Sequence, residues 1–174
     1  MATLPYADLD APEVKPLVDQ IVAQRGSVLH LYQMLLHSAP LTEGWLAYLT
    51  AIRKRLSLDG ALRELVIMRV AALNGAQFEA DHHAPIALLE GISREQLDAL
   101  HNWRNSTQFS PREQAVLALT DTMTLEVKVP AGVMGTIREY LDDREVVELV
   151  ATIAAYNMVS RFLVALDIGS HDKR

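Results

Sequence analysis

The fold is decided by Leu62-Arg63-Glu64-Leu65-Val66-Ile67-Met68-Arg69-Val70-Ala71-Ala72-Leu73-Asn74-Gly75, followed at once by Ala76-Gln77-Phe78-Glu79-Ala80-Asp81-His82-His83. Leu62, Leu65, Val66, Arg69, Val70 and Leu73 recur at three- and four-residue spacing, the period of one face of an α-helix. Gly75 sits where such a helix can stop in a left-handed turn. The same period continues elsewhere, with Val146, Val150, Ile153, Asn157, Arg161 and Val164 forming another stripe. No alternating run of strand length occurs.

Helix starts are written into the chain. Ser110-Pro111-Arg112-Glu113 supplies a cap, a proline at the first helical position and a glutamate three residues after the cap. Ser93-Arg94-Glu95-Gln96 and Asp142-Asp143-Arg144-Glu145 follow the same logic. The pattern predicts an all-α chain of about eight or nine helices, near 11–25, 28–37, 41–57, 60–74, 77–90, 94–103, 111–126, 131–140 and 143–167. Pro85 is expected to kink or end the helix that carries the histidines. Linkers are short, so residues 1–174 read as one domain, with 1–40 as an N-terminal helical extension. The last helix is apolar on more than one face, which predicts central burial or packing against another subunit, hence a homo-oligomer.

Composition narrows the chemistry. The chain has 174 residues, half of them hydrophobic, which is enough to bury roughly two thirds of the surface of its unfolded form. Its 22 acidic and 16 basic residues give a net charge of −6, against a nucleic-acid partner. With no cysteine there is no disulfide, no thiolate-ligated metal and no thiol nucleophile. The opening MATLPYADLDAPE lacks the basic start and apolar run of a signal peptide. Glu148, Asn157 and Arg161 interrupt the most apolar stretch, against a membrane span. A cytoplasmic location is the resulting expectation.

Several side chains could carry chemistry. On a helix, Glu79 and His83 are at i and i+4, and Glu79 and His82 at i and i+3, so both pairs are neighbours. A carboxylate beside an imidazole fixes its tautomer and makes it a usable acid or base near neutral pH, although a solvated surface pair has the same spacing. Asn157 and Arg161, on the apolar stripe of the last helix, need partners. They could be an anion or carbonyl clamp, or a buried network such as Arg161 with Glu64. Arg69 raises the same question. His30, His37 and His101 lack a partner pattern, and His171 lies in a polar tail. Glu79-x-x-His82 is half of a di-iron pattern. Its nearest complement, Asp98-x-x-His101, has the wrong acid, and His82 and His83 point about 100° apart on a helix, so no metal and no cofactor are expected.

The stretch Leu62–Ala71, then Asn74-Gly75-Ala76-Gln77-Phe78-Glu79-x3-His83, resembles the core of the carboxymuconolactone decarboxylase (AhpD-like) family. Ala154-Ala155-Tyr156-Asn157-Met158-Val159-Ser160-Arg161-Phe162 resembles its closing helix, and Leu4-Pro5-Tyr6 with Leu31–Ser38 and Pro40 resembles the opening of its longer members. The resemblance implies an all-α fold in trimers or hexamers. Its alkylhydroperoxidase branch uses a glutamate, a Cys-x-x-Cys pair and a histidine. These positions fall on Glu64, on Ala76 and Glu79, and on His83. Thiol peroxidase chemistry has no sulfur to act through here. The cysteine-free branch resembles γ-carboxymuconolactone decarboxylase, a cofactor-independent lyase acting on a small carboxylated lactone of aromatic catabolism. By that resemblance His83 is the acid/base oriented by Glu79, His82 serves a developing oxyanion or a substrate carboxylate, and Glu64 and Arg161 order their surroundings. Asn157 and Arg69 are further candidates for substrate binding. The remaining alternative is a non-catalytic helical oligomer that binds a small ligand, with Glu79, His82 and His83 sealed in an interface.

Overall fold

The computed structural model describes residues 2–172. The described residues form nine α-helices and no strand: α1 Lys15–Arg25, α2 His30–Leu35, α3 Ala39–Lys54, α4 Gly60–Asn74, α5 Gln77–Leu89, α6 Arg94–Ala99, α7 Pro111–Leu125, α8 Ala131–Ile137 and α9 Asp143–Ala165. A short 3-10 turn, Leu100–Asn105, follows α6. The chain gathers into two compact units. One runs to Leu56 and resumes at Leu163; the other is Ser57–Phe162.

In the first unit α3 packs on α1 and α2, and Leu17, Ile21, Leu31, Leu35, Leu46, Leu49 and Ile52 are buried. Arg25 closes it from the end of α1, donating to Thr50 Oγ1 at 2.7 Å and to Tyr32 Oη at 3.2 Å.

The second unit is organised around α4, which packs on α5 and α7. Its apolar face delivers Leu65 to a cluster with Ala87, Ile92, Leu100, Trp103, Phe109 and Leu117. Burial of one such leucine or phenylalanine contributes about 1.5–3 kcal/mol. Asp59 caps α4, accepting from the Leu62 amide at 3.1 Å, and Gly75 ends it at φ 65°. Both serine capping boxes form as expected, Ser93 with Gln96 and Ser110 with Glu113. Asp142 and Glu145 cap α9 reciprocally, at 2.8 and 3.0 Å. One turn on, Glu148 Oε2 accepts from the Ser57 and Leu58 amides, both at 2.8 Å, and so fastens the approach to α4.

Two expectations change. The helix expected at 94–103 divides into α6 and the 3-10 turn. His101 Nδ1 takes the Asp98 carbonyl at 2.8 Å, and Asn102 leaves helical geometry at φ −129°, ψ 37°. A side chain that occupies a backbone carbonyl competes with the helical ladder. Pro85 does not end α5, which runs on to Leu89. Its ring lies on the exposed face, where water can serve the carbonyl left without a donor.

The last helix has an apolar core side, with Leu149, Ile153, Tyr156 and Val159 buried, while Val147 and Met158 remain exposed. By length and composition alone it could cross a bilayer; burial of this side accounts for its apolar character.

At Gly75 any other residue must hold a left-handed backbone, which costs roughly 1–2 kcal/mol. Gly75→Ala is expected to lower stability by about that amount in chemical denaturation, with unchanged helicity by circular dichroism.

Candidate functional site

The hairpin of α4 and α5 turns at Gly75 within three residues, which brings Glu64 face to face with His83, nineteen positions later. His83 Nδ1 lies 2.7 Å from Glu64 Oε2. An ionised carboxylate only accepts, so Nδ1 carries the proton. The opposite nitrogen, Nε2, lies 3.5 Å from Glu79 Oε2. The imidazole is thus held between two carboxylates, and the three side chains are buried, Glu64 to 1% exposure. Tyr156, from α9, packs edge-on against the His83 ring with centroids 5.3 Å apart.

Arg63 compensates the charge of Glu64. Arg63 Nε donates to Glu64 Oε1 at 3.1 Å, and its Nη2 reaches Glu90 Oε1 at 2.8 Å. Burial by itself would push the Glu64 carboxyl up. The hydrogen bond and charge of His83, together with Arg63, outweigh it and hold Glu64 below its ordinary value of 4.5. Glu64 is accordingly the fixed anion. Glu79 stands on the other side of the ring, toward the nitrogen that Glu64 does not hold.

The other predicted residues are placed differently. His82 belongs to neither carboxylate: its Nδ1 donates to the Phe78 carbonyl at 2.8 Å and its ring stacks on Phe78 at 4.2 Å. Adjacent helix positions diverge by about 100°, so only one of the two histidines can face α4. Asn157 is buried and saturated. Its Nδ2 donates to Thr124 Oγ1 and the Ile153 carbonyl, at 2.9 and 3.0 Å, and its Oδ1 accepts from Asn74 at 3.1 Å. That arrangement is a strut joining the ends of α4 and α7 to α9.

Arg161 is exposed and, among the described residues, reaches the Thr124 carbonyl at 3.4 Å. Glu64 has His83 and Arg63 instead, so the network of Arg161 with Glu64 does not form. Arg69 is buried against Asp121, with Nε–Oδ1 at 2.6 Å and Nη2–Oδ2 at 3.1 Å, and its Nη1 holds the Leu100 carbonyl at 2.8 Å. It ties α4 to α7 and the 3-10 turn, away from His83.

Sequence reasoning did not assign roles to Arg63, Asn74, Asp121 or Thr124. Asp121 had a signal: it falls one turn from Leu117 and Thr124 on the buried face of α7, where an acid needs a cation. Among the described residues no three histidine, aspartate or glutamate side chains are grouped to hold a metal ion.

This geometry can be set beside known proteins. The model of the carboxymuconolactone decarboxylase family matches residues 39–122, spanning α3 to α7 and all three members of the Glu64–His83–Glu79 group. An uncharacterised protein of Bacillus subtilis (strain 168), YdfG, is 32% identical over 115 residues, covering 65% of this chain and 78% of its own. The chain belongs to the carboxymuconolactone decarboxylase family. Within that family's fold, an AhpD-like protein from Agrobacterium tumefaciens superposes with a TM-score of 0.73 at 22% identity, over 79% of this chain and 94% of its own. The debrominase Bmp8, solved with 2,3,4-tribromopyrrole, superposes at 0.81 with 18% identity, over 98% and 93%. At such identities the likeness shows a shared fold.

Two outcomes test these placements. Glu64 is an acid whose folded value is depressed. Its stabilising contribution is complete above the unfolded value near 4.5 and is lost as pH falls through the folded value. Glu64→Gln should therefore lower stability at neutral pH and flatten its decline below about pH 4.5, read by urea denaturation across pH. Arg69→Met leaves Asp121 without its main partner and is expected to cost about 3 kcal/mol, while leaving ligand affinity at the His83 group unchanged.

Proposed function

We propose that the protein is a cofactor-independent lyase resembling γ-carboxymuconolactone decarboxylase, acting by acid–base chemistry on a small carboxylated lactone or a similar compound. The observation that carries this reading is the His83 imidazole held between the buried carboxylates of Glu64 and Glu79. The family membership supports it, and the lack of cysteine removes thiol-based peroxidase or dehalogenase chemistry as a competitor.

In the proposed reaction, the bond from carbon to the substrate carboxylate breaks and its electron pair moves through the conjugated lactone onto the ring carbonyl, releasing carbon dioxide. A proton delivered from His83 Nε2, the nitrogen that faces Glu79 at 3.5 Å, then goes to carbon as the electron pair returns from oxygen. One proton is consumed for each carbon dioxide formed, and water restores it. Glu64 holds His83 by Nδ1 throughout, so Nε2 is the only nitrogen that changes. His82, with its Nε2 not engaged by Phe78, would serve the developing oxyanion. Removing a positioned acid of this type typically costs 10²–10⁴-fold in rate.

The chain is further proposed to assemble with copies of itself through the exposed apolar side of α9, where Val147 and Met158 lie, and to act away from membranes and nucleic acids in the cytoplasm. A surface of this kind is expected to be covered.

Purified protein incubated with carboxylated butenolides should release carbon dioxide. His83→Ala should lower that rate at least about 10²-fold with helicity retained, and full activity in this variant would overturn the assignment. If no such lactone is turned over but one binds with a His83-dependent affinity, the reading as a ligand-binding oligomer replaces the lyase. By sedimentation, Val147→Asp with Met158→Asp should shift an oligomer toward monomer.

A further inference from the structure

Residues of the 3-10 turn Leu100–Asn105, together with Arg69 of α4, line a hollow of about 260 Å³. Its six lining residues are Arg69, His101, Asn102, Trp103, Arg104 and Asn105. They include two guanidinium groups and no carboxylate, in a chain whose net charge is −6. Behind them lies Asp121, and both of its oxygens are already engaged. Oδ1 accepts from Arg69 Nε, and Oδ2 from Arg69 Nη2, Trp103 Nε1 and Arg104 Nη2, at 2.6, 3.1, 3.0 and 3.2 Å. Two fixed cations against one carboxylate leave one positive charge in surplus.

The surplus is held in place. Arg104 lies over the Trp103 ring, its guanidinium carbon 4.2 Å from the ring centroid. Trp103 is itself buried and anchored by Asp121. Only one nitrogen of Arg104 is engaged by Asp121, so most of its five donors remain. Asn102, turned out of helical geometry, uses its amide oxygen to accept from Asn105 at 2.7 Å, which leaves its own amide nitrogen as a donor. A planar fork fixed by stacking, with a neighbouring amide donor and no acid in the lining, is suited to an oxyanion.

We propose that this hollow is a binding site for a small oxyanion, a phosphate or carboxylate group, built separately from the Glu64–His83–Glu79 group. Arg104 supplies the principal contact, Arg69 the buried positive charge behind it, and Asn102 a hydrogen bond. The ligand stands against Trp103, so occupancy should change its fluorescence.

The test uses the full chain with Trp45→Phe, which leaves Trp103 as the only tryptophan. Inorganic phosphate and acetate are titrated at constant ionic strength, with chloride as the control. A saturable change with phosphate or acetate and none with chloride supports the site, and the tighter of the two names the group. Arg104→Gln, at a residue whose side chain is 60% exposed, should weaken that affinity at least tenfold without loss of fold, and Arg104→Lys by less. Arg138→Gln, which removes an exposed arginine elsewhere, should leave it unchanged. An equal response to chloride, no saturable response to either oxyanion, or an affinity indifferent to Arg104→Gln would overturn the proposal.

Discussion

The 2.7 Å hydrogen bond from His83 to Glu64 is the constraint to which the second unit is fitted. Its two ends lie on helices that must be antiparallel neighbours, in register to within a fraction of a turn. Gly75 makes this possible by turning the chain in a left-handed conformation with no side chain to accommodate. Once formed, the bond buries an ionised carboxylate, which is tolerable only with partners. His83 and Arg63 are those partners, and Arg63 in turn takes Glu90 at the far end of α5. The packing of α4 against α5 is thus accompanied by a chain of charges running Glu90, Arg63, Glu64, His83, Glu79.

A second buried ion pair lies farther along α4. Arg69 with Asp121 secures α4 to α7 and to the 3-10 turn. Such pairs contribute little net stability against an apolar alternative, but breaking one leaves an uncompensated charge. They consequently fix which helix faces which. The two clusters also differ in kind. At Asp121 the carboxylate is held by two guanidinium groups and an indole. At His83 the flanking groups are both acids, one at each ring nitrogen. That difference is why the reaction is assigned to the second arrangement and anion binding to the surface of the first.

Much of the fold was legible in the chain, because helix periods and caps are local. Ser93, Ser110 and Asp142 cap as their spacing says, and Gly75 adopts the left-handed turn. The failures occur where a side chain takes a partner that helical periodicity does not record, whether near in sequence or far. The 3-10 break came from His101 capturing a carbonyl, which no periodicity records. Of the site, the pairing of Glu79 with His83 follows from i,i+4 spacing. That of Glu64 with His83 was legible only through resemblance to a family, since nineteen intervening residues carry no geometric information. Arg69 and Asn157 were recognised as polar groups on buried faces. Whether a partner or a ligand answers such a group depends on another helix, and Asp121 and Thr124 answer them here. Arg161 was misplaced because a long stripe on α9 does not reveal where the covering ends.

The central claim is that Glu64 fixes the proton on His83 Nδ1 and so leaves Nε2 with Glu79 to exchange the working proton. Imidazole nitrogen-15 and proton NMR of His83 at neutral pH measures this most directly. The account predicts a deshielded, slowly exchanging proton coupled to Nδ1, lost in Glu64→Gln, and an Nε2 signal that responds to Glu79→Gln while Nδ1 does not. An Nδ1 without a proton at neutral pH, or an Nε2 indifferent to Glu79, would contradict it.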